Sequence, residues 1–248
     1  FANIDFRGVS LKNTTFSNMN LSNANFSNAN LSGAKISWFD QSASRYAEVY
    51  SLKNAVFFNA DLTNAELSYG ILENVDFRGA NMTNTKIGES VSYKNTIMSD
   101  GVIKNFKADP ASDIYIRKYT PAENGEMTSA KIAEEDATLN GSRLMLGQGA
   151  FFEITNGKTL TLANSSEIQI DTDLSGSTIF NVNSSSGLVF EDGAILTVNI
   201  IDDIITSDAY TFAVISFEDD SRIAGLNNFV KDETLFLTVN GEKFNGAW

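Results

Sequence analysis

Four acidic clusters punctuate the second half of the chain: Glu134-Glu135-Asp136, Asp171-Thr172-Asp173, Asp202-Asp203 and Glu218-Asp219-Asp220. Carboxylates in pairs can act as acid and base in glycoside hydrolysis, or they can ligate calcium. A second cluster is aromatic: Trp38, Phe39, Tyr46 and Tyr50, with Arg45 among them. Trp, Tyr and Arg dominate the hot spots of interfaces. The chain has no His and no Cys. That removes the commonest general base, the commonest transition-metal ligand and every thiolate site. Any enzyme here would run on carboxylates, hydroxyls, Lys or Arg. None of the acidic clusters has the D-x-D-x-D-G calcium spacing, and the sequence lacks both a G-x-S-x-G elbow and a G-x-x-x-x-G-K phosphate loop. The acids therefore read as solvated turn residues that keep strand edges from pairing. A catalytic pair or a calcium site at one of these turns is the competing reading. We expect a non-enzymatic protein with no metal and no cofactor. The aromatic stretch 38–50 is the candidate partner-binding site, against the alternative that its rings fill the interior.

The elements that position these groups follow from periodicity. Every fifth residue from the start is large and apolar: Phe1, Phe6, Leu11, Phe16, Leu21, Phe26, Leu31, Ile36. Helices repeat apolar residues at three and four, half-buried strands at two. A short fixed period over many units implies a solenoid whose units bury their faces only by stacking. Two residues before most centres stands a smaller inward residue, as at Ala24, Ala29 and Ala34. Two residues after each of the first seven centres stand Asn3, Gly8, Asn13, Asn18, Asn23, Asn28 and Gly33. Asn and Gly tolerate the left-handed backbone of a sharp corner. The register fails between 38 and 50 and resumes one residue out of phase at Leu52, running through Phe57, Leu62, Leu67, Leu72, Phe77, Met82 and Ile87. A second one-residue slip fits Tyr93, Met98 and Ile103. The slips read as a bulge or loop and a smaller bulge.

Segments such as Asn23-Ala24-Asn25-Phe26-Ser27 and Asn59-Ala60-Asp61-Leu62-Thr63 resemble pentapeptide repeats of the A-(D/N)-L-x-x type. The resemblance covers about residues 1–105. It implies a right-handed quadrilateral β-helix, four pentapeptides to a coil. About five coils result, a rod roughly 20–25 Å tall at about 4.8 Å per strand.

Residues 108–130 hold both prolines, Pro110 and Pro121, and read as a connector with one strand of its own, over 114–119. Beyond about 131 the pattern is short alternating runs: Phe152/Ile154, Leu160/Leu162 and Ile168/Ile170 recur at a spacing of eight, with Asn156-Gly157 and Asp192-Gly193 as turn signals. This is an all-β region without helices. A second β-solenoid is the preferred form and a β-sandwich the alternative. The strand Ala209–Phe217, followed by Ile223-Ala224-Gly225-Leu226, resembles bacterial autotransporter and adhesin passenger domains, which implies a secreted or surface-displayed β-helix.

Charge divides the chain. Residues 1–107 carry ten Lys and Arg against nine Asp and Glu, and residues 108–248 carry eight against twenty-two. No apolar run of eighteen residues exists to span a membrane as a helix. Basic patches for nucleic acid are absent. The chain starts on a repeat centre, which reads as a mature form or an excised fragment. The resulting expectation is a structural or binding module, adhesin- or stalk-like, presenting a rigid face to a protein or a glycan at a bacterial surface. Some pentapeptide-repeat proteins mimic DNA and block gyrase. That is the alternative, and it requires dense negative charge on the repeat itself, where this chain is nearly neutral. A carboxylate-dependent polysaccharide enzyme is the third reading.

Overall fold

A computed structural model describes residues 1–37, 52–68, 70–173, 178–200, 215–218, 222–224, 235–239 and 242–243. Among them there is no helix, so none that is long and apolar enough to cross a membrane. The chain divides into two compact units, one of residues 1–106 and 120–128, the other of residues 107–119 and 129–248.

The first unit is a square solenoid. Its short strands are β1 (Thr15–Ser17), β2 (Lys35–Ser37), β3 (Glu66–Ser68), β4 (Gly70–Glu73), β5 (Lys86–Ile87), β6 (Val91–Lys94), β7 (Thr96–Ile97) and β8 (Ile103–Lys104). One wall is the parallel sheet β1-β2-β3-β5, and another is the parallel pair β4-β6. The other two walls are held by parallel single-residue bridges. One runs Asp5, Asn25, Val56, Asp76, Ile97, and the other Ser10, Asn30, Asp61, Asn81. Asp5 meets Asn25, twenty positions on, so four pentapeptides close one coil. Asn25 meets Val56, thirty-one positions on, so eleven extra residues enter between these coils, within 38–51. One more enters at 88–90: Glu66 pairs with Lys86 twenty positions on, but Gly70 pairs with Val91 twenty-one on. Both slips in the fivefold pattern are therefore insertions after the same wall.

The fivefold centres turn inward. Phe26, Phe57 and Phe77 are fully buried, and Phe16 nearly so. The rings of Phe6, Phe26, Phe57 and Phe77 stack at centroid distances of 5.1, 4.7 and 4.9 Å. A buried aromatic pair contributes about 0.5–1.5 kcal/mol beyond its area. Departures occur at the two ends. Phe1 is 65% exposed, and Phe6 and Leu11 are half-buried, because the first coil packs on a neighbour from one side. Ile103 is not a centre of a further wall. The chain reverses there, and Ile103 pairs antiparallel with Ile97 through β7-β8. This hairpin ends the parallel stack.

Every residue assigned to a corner has positive φ. Asn3, Asn13, Asn18, Asn23 and Asn28 lie between 54° and 62°, and Gly8 and Gly33 at 68°. At one corner the amides form a ladder along the rod. Asn23 Nδ2 donates to Asn3 Oδ1, Asn54 to Asn23 and Asn74 to Asn54, at 3.0–3.1 Å. The Asn or Asp before each centre braces the turn differently. Asn25, Asn30, Asp61 and Asn81 each accept the backbone N–H two residues on, at 3.0–3.1 Å.

The second unit is a three-sided solenoid. It begins with β9 (Asp113–Ile116). One coil is β10 (Ala130–Ile132), β11 (Ala137–Asn140) and β12 (Arg143–Leu146). The next is β13 (Phe151–Ile154), β14 (Thr159–Ala163) and β15 (Glu167–Thr172). A third is β16 (Ile179–Val182), β17 (Gly187–Phe190) and β18 (Ile195–Ile200). Then come β19 (Ser216–Phe217), β20 (Arg222–Ala224), β21 (Leu235–Val239) and β22 (Glu242–Lys243). Three parallel sheets result: β10-β13-β16-β19, β11-β14-β17-β20, and β9-β12-β15-β18-β21, to which β22 adds antiparallel. From β9 to β21 consecutive strands lie in different sheets, so the β-sandwich alternative is set aside. The eightfold pairs Phe152/Ile154, Leu160/Leu162 and Ile168/Ile170 all point inward, one pair per side. Asn156-Gly157 and Asp192-Gly193 make corners between sides, not hairpins; Asn156, Gly157 and Gly193 have φ of 57°, 70° and 78°. The strand of the 108–130 stretch, β9, is the edge of the third sheet and is paired with β12.

Candidate binding faces

Inward positions are spent on the core, so chemistry must come from outward side chains and corners. The aromatic candidates Trp38, Phe39, Arg45, Tyr46 and Tyr50 all lie outside the described residues. The register on either side requires eleven extra residues somewhere between Ser37 and Leu52.

On the first unit the outward charges are largely matched. Lys35 Nζ lies 4.0 Å from Glu66, and Glu73 takes Lys53 at 3.2 Å and Lys94 at 3.3 Å. The heptapeptides at 3–9 and 74–80 both contain the run Asp-Phe-Arg-Gly, and they place an Asp–Arg pair on the same wall in two settings. Arg7 grips Asp5 at 2.7 Å with its side chain 65% exposed. The guanidinium's hydrogen bonds hold the Asp5 carboxyl below the usual carboxylate range. Arg78 grips Asp76 at 2.8 Å, and both side chains are buried, at 0% and 1% exposure. Arg78 Nε also donates to Asp76 Oδ1 at 3.0 Å, and its guanidinium lies 5.2 Å from the Phe58 ring centroid. The fivefold pattern marks both arginines as outward and gives no sign that one is covered.

The second unit presents a connected polar row on the outer side of its largest sheet. Arg143 donates through Nε and Nη2 to both oxygens of Asp113, each at 2.9 Å. Gln169 donates to Asp171 at 2.9 Å, Asn199 donates to Asp171 at 3.2 Å, and Thr197 donates to Glu167 at 2.5 Å. Apart from the Gln169–Asp171 bond within β15, these contacts run across rungs, because parallel register places Asp113, Arg143, Glu167 and Ile195 in one column. Hydrogen bonds from Arg143 push the Asp113 carboxyl down from its ordinary value, and the same bonds push the guanidinium up. Nothing in the residue types announced this row; strand register, once known, assembles it.

The described acidic clusters behave as braces. Asp136 accepts the Thr159 N–H at 2.8 Å, Asp173 accepts from Gln148 Nε2 at 3.2 Å, and Glu218 accepts the Ser184 N–H at 2.7 Å. Among the described residues, no three carboxylates gather as a metal would need. Asp202, Asp203, Asp219 and Asp220 lie outside them.

The model of the pentapeptide-repeat family matches residues 1–39 and 51–90, in eight copies. The two matched segments break where the structure inserts its eleven residues. No curated protein matches the chain.

Proposed function

We propose that this chain, which matches pentapeptide repeats over residues 1–39 and 51–90, is a non-enzymatic scaffold that presents rigid polar faces to a protein or a glycan. The observation that carries this is the cross-rung row Asp113, Arg143, Gln169, Asp171 and Asn199. A partner meeting such a row finds donors and acceptors already ordered, so little side-chain entropy is lost on contact. The acidic excess of the second half and the strand texture of 209–226 support a secreted or surface-displayed setting.

The matched charges of the first unit weigh against the gyrase-directed alternative. A duplex mimic needs unneutralised negative charge at phosphate spacing, whereas Asp5, Glu66, Glu73 and Asp76 each sit against a cation. The carboxylates of the row are engaged with neighbours, which weighs against an acid–base pair. The test is binding to immobilised glycans and surface proteins, with turnover followed in parallel. Saturable binding that Arg143→Ala weakens, without turnover, is the expected result. Consumption of a polysaccharide, or inhibition of DNA supercoiling without any surface ligand, would sink the reading.

A further inference from the structure

We propose that Asn124 is a site of spontaneous deamidation, a modification independent of the binding role above. The chain contains five Asn-Gly pairs, and three are described: Asn124-Gly125, Asn140-Gly141 and Asn156-Gly157. In such a pair the glycine backbone nitrogen attacks the asparagine Cγ and expels ammonia. The resulting succinimide takes up water and opens to aspartate or isoaspartate. The step needs the two residues to swing toward each other, and glycine offers least steric resistance. Whether it happens is therefore decided by how firmly the surrounding backbone is held.

The three sites differ in that respect. Asn140 ends strand β11, paired with Ala163, and accepts a hydrogen bond from Asn164 Nδ2 at 2.5 Å. The Gly141 N–H, whose nitrogen would attack, donates to Ala163 O. Asn156 donates through Nδ2 to Ala133 O at 3.2 Å, and its corner is fixed by Thr155 N–H to Ile132 O and Lys158 N–H to Thr155 O. Asn124 is held only within its own turn, with no bond to a neighbouring coil from its side chain or from Gly125 N–H. Residues 122–127 are all exposed, its side chain makes no hydrogen bond, and the turn is closed only by Gly125 N–H to Ala122 O at 2.8 Å. The nearest anchor is Asn59 Nδ2 to Thr120 O, four residues away. Conversion adds a negative charge to an exposed turn that already carries Glu123 and Glu126. In the isoaspartyl product it also reroutes the main chain through the side-chain methylene, which breaks the Ala122–Gly125 turn.

The test is peptide mapping of the intact chain after incubation in mildly alkaline buffer, with isoaspartyl content read by enzymatic methyl transfer. Conversion at Asn124, with Asn140 and Asn156 retaining their amides, is expected. Asn124→Gln should remove that methyl acceptance while the far-ultraviolet dichroism stays unchanged. The proposal is overturned if Asn124 keeps its amide while any other Asn-Gly pair converts, if Asn140 or Asn156 converts as fast, or if no pair converts.

Discussion

Outside its two insertions the first solenoid keeps its coils at twenty residues, whereas the second lets them grow. In the second unit Arg143 pairs twenty-four positions on with Glu167, Phe151 twenty-eight on with Ile179, and Asn181 thirty-five on with Ser216. The reason lies in the corners. A square coil spends only five residues per side, so one αL residue must complete each turn, and the next N–H already belongs to the ladder. A three-sided coil has longer strands and separate corner segments, which can lengthen without moving the strands. Yet both units confine variation. The first admits extra residues only after the wall β1-β2-β3-β5. The second admits most of them between its largest sheet and the β10 sheet. The corner between the β10 and β11 sheets adds nothing in the upper two steps: Phe151 to Ile179 and Thr159 to Gly187 both advance twenty-eight, and Asn181 to Ser216 and Gly187 to Arg222 both thirty-five.

Three substitutions test whether the square unit is the stiffer one. Phe57 is sandwiched between Phe26 and Phe77, and its coil length leaves no slack for collapse. Phe57→Ala should cost about 3–5 kcal/mol in denaturant unfolding. A loss under about 1 kcal/mol would mean that the coils relax and that the comparison fails. The two Asp–Arg pairs sharpen it from outside the core. Asp76→Ala strands a fully buried guanidinium and should cost about 3–5 kcal/mol. Asp5→Ala, in the same wall and the same local sequence, should leave the melting midpoint where it was. Equal losses would show that local geometry, not burial, sets the strength of the pair.

Corner tolerance is the next test in size. Two residues inserted after Ser175, between β15 and β16, where the coil repeat rises from twenty-four to twenty-eight, should cost less than about 1 kcal/mol, since loop closure depends weakly on length. The same insertion between Asn156 and Gly157 disrupts the bonds from Asn156 to Ala133 O and from Thr159 N–H to Asp136. At about 1 kcal/mol net for each neutral bond and more for the charged one, it should cost about 2–3 kcal/mol. Matching unfolding midpoints for the two insertions would refute the claim that one corner is reserved for growth.

The square unit could be read residue by residue, because each five-residue unit states its own role: bulky in, small in, Asn or Gly at the corner. Even the one-residue phase slips mapped onto real insertions. The end of the stack could not be read, since Ile103 keeps the fivefold spacing after the backbone has reversed. In the second unit the spacing of eight marks one side plus one corner, and three of those make the twenty-four of a coil. The individual turn signals were ambiguous there, because Asn-Gly serves a hairpin and a solenoid corner alike. The polar row on the largest sheet was invisible for a further reason. Its cross-rung contacts join residues twenty-six to thirty positions apart, as Gln169 and Arg143 are and as Arg143 and Asp113 are, and only parallel register brings them together. The burial of Arg78 was equally hidden, since its heptapeptide nearly repeats that of exposed Arg7.

The smallest effect is electrostatic and falls on that row. Asp113 has a folded pKa depressed chiefly by the hydrogen bonds of Arg143. A depressed carboxylate contributes stability that is fully present above its unfolded value, near 3.9, and is lost as pH falls through the folded value. The pair is half exposed, at 38% for Arg143 and 49% for Asp113, so solvent screening limits it to at most about 1 kcal/mol. Arg143→Ala should return the Asp113 carboxyl to the ordinary range, as read by carbon-detected titration of its side chain. The stability difference between wild type and variant should be constant at neutral pH and shrink only in acid below that range. A difference that instead grows on acidification would mean that Arg143 acts through packing on the sheet, and the row would then be a surface of shape and not of charge.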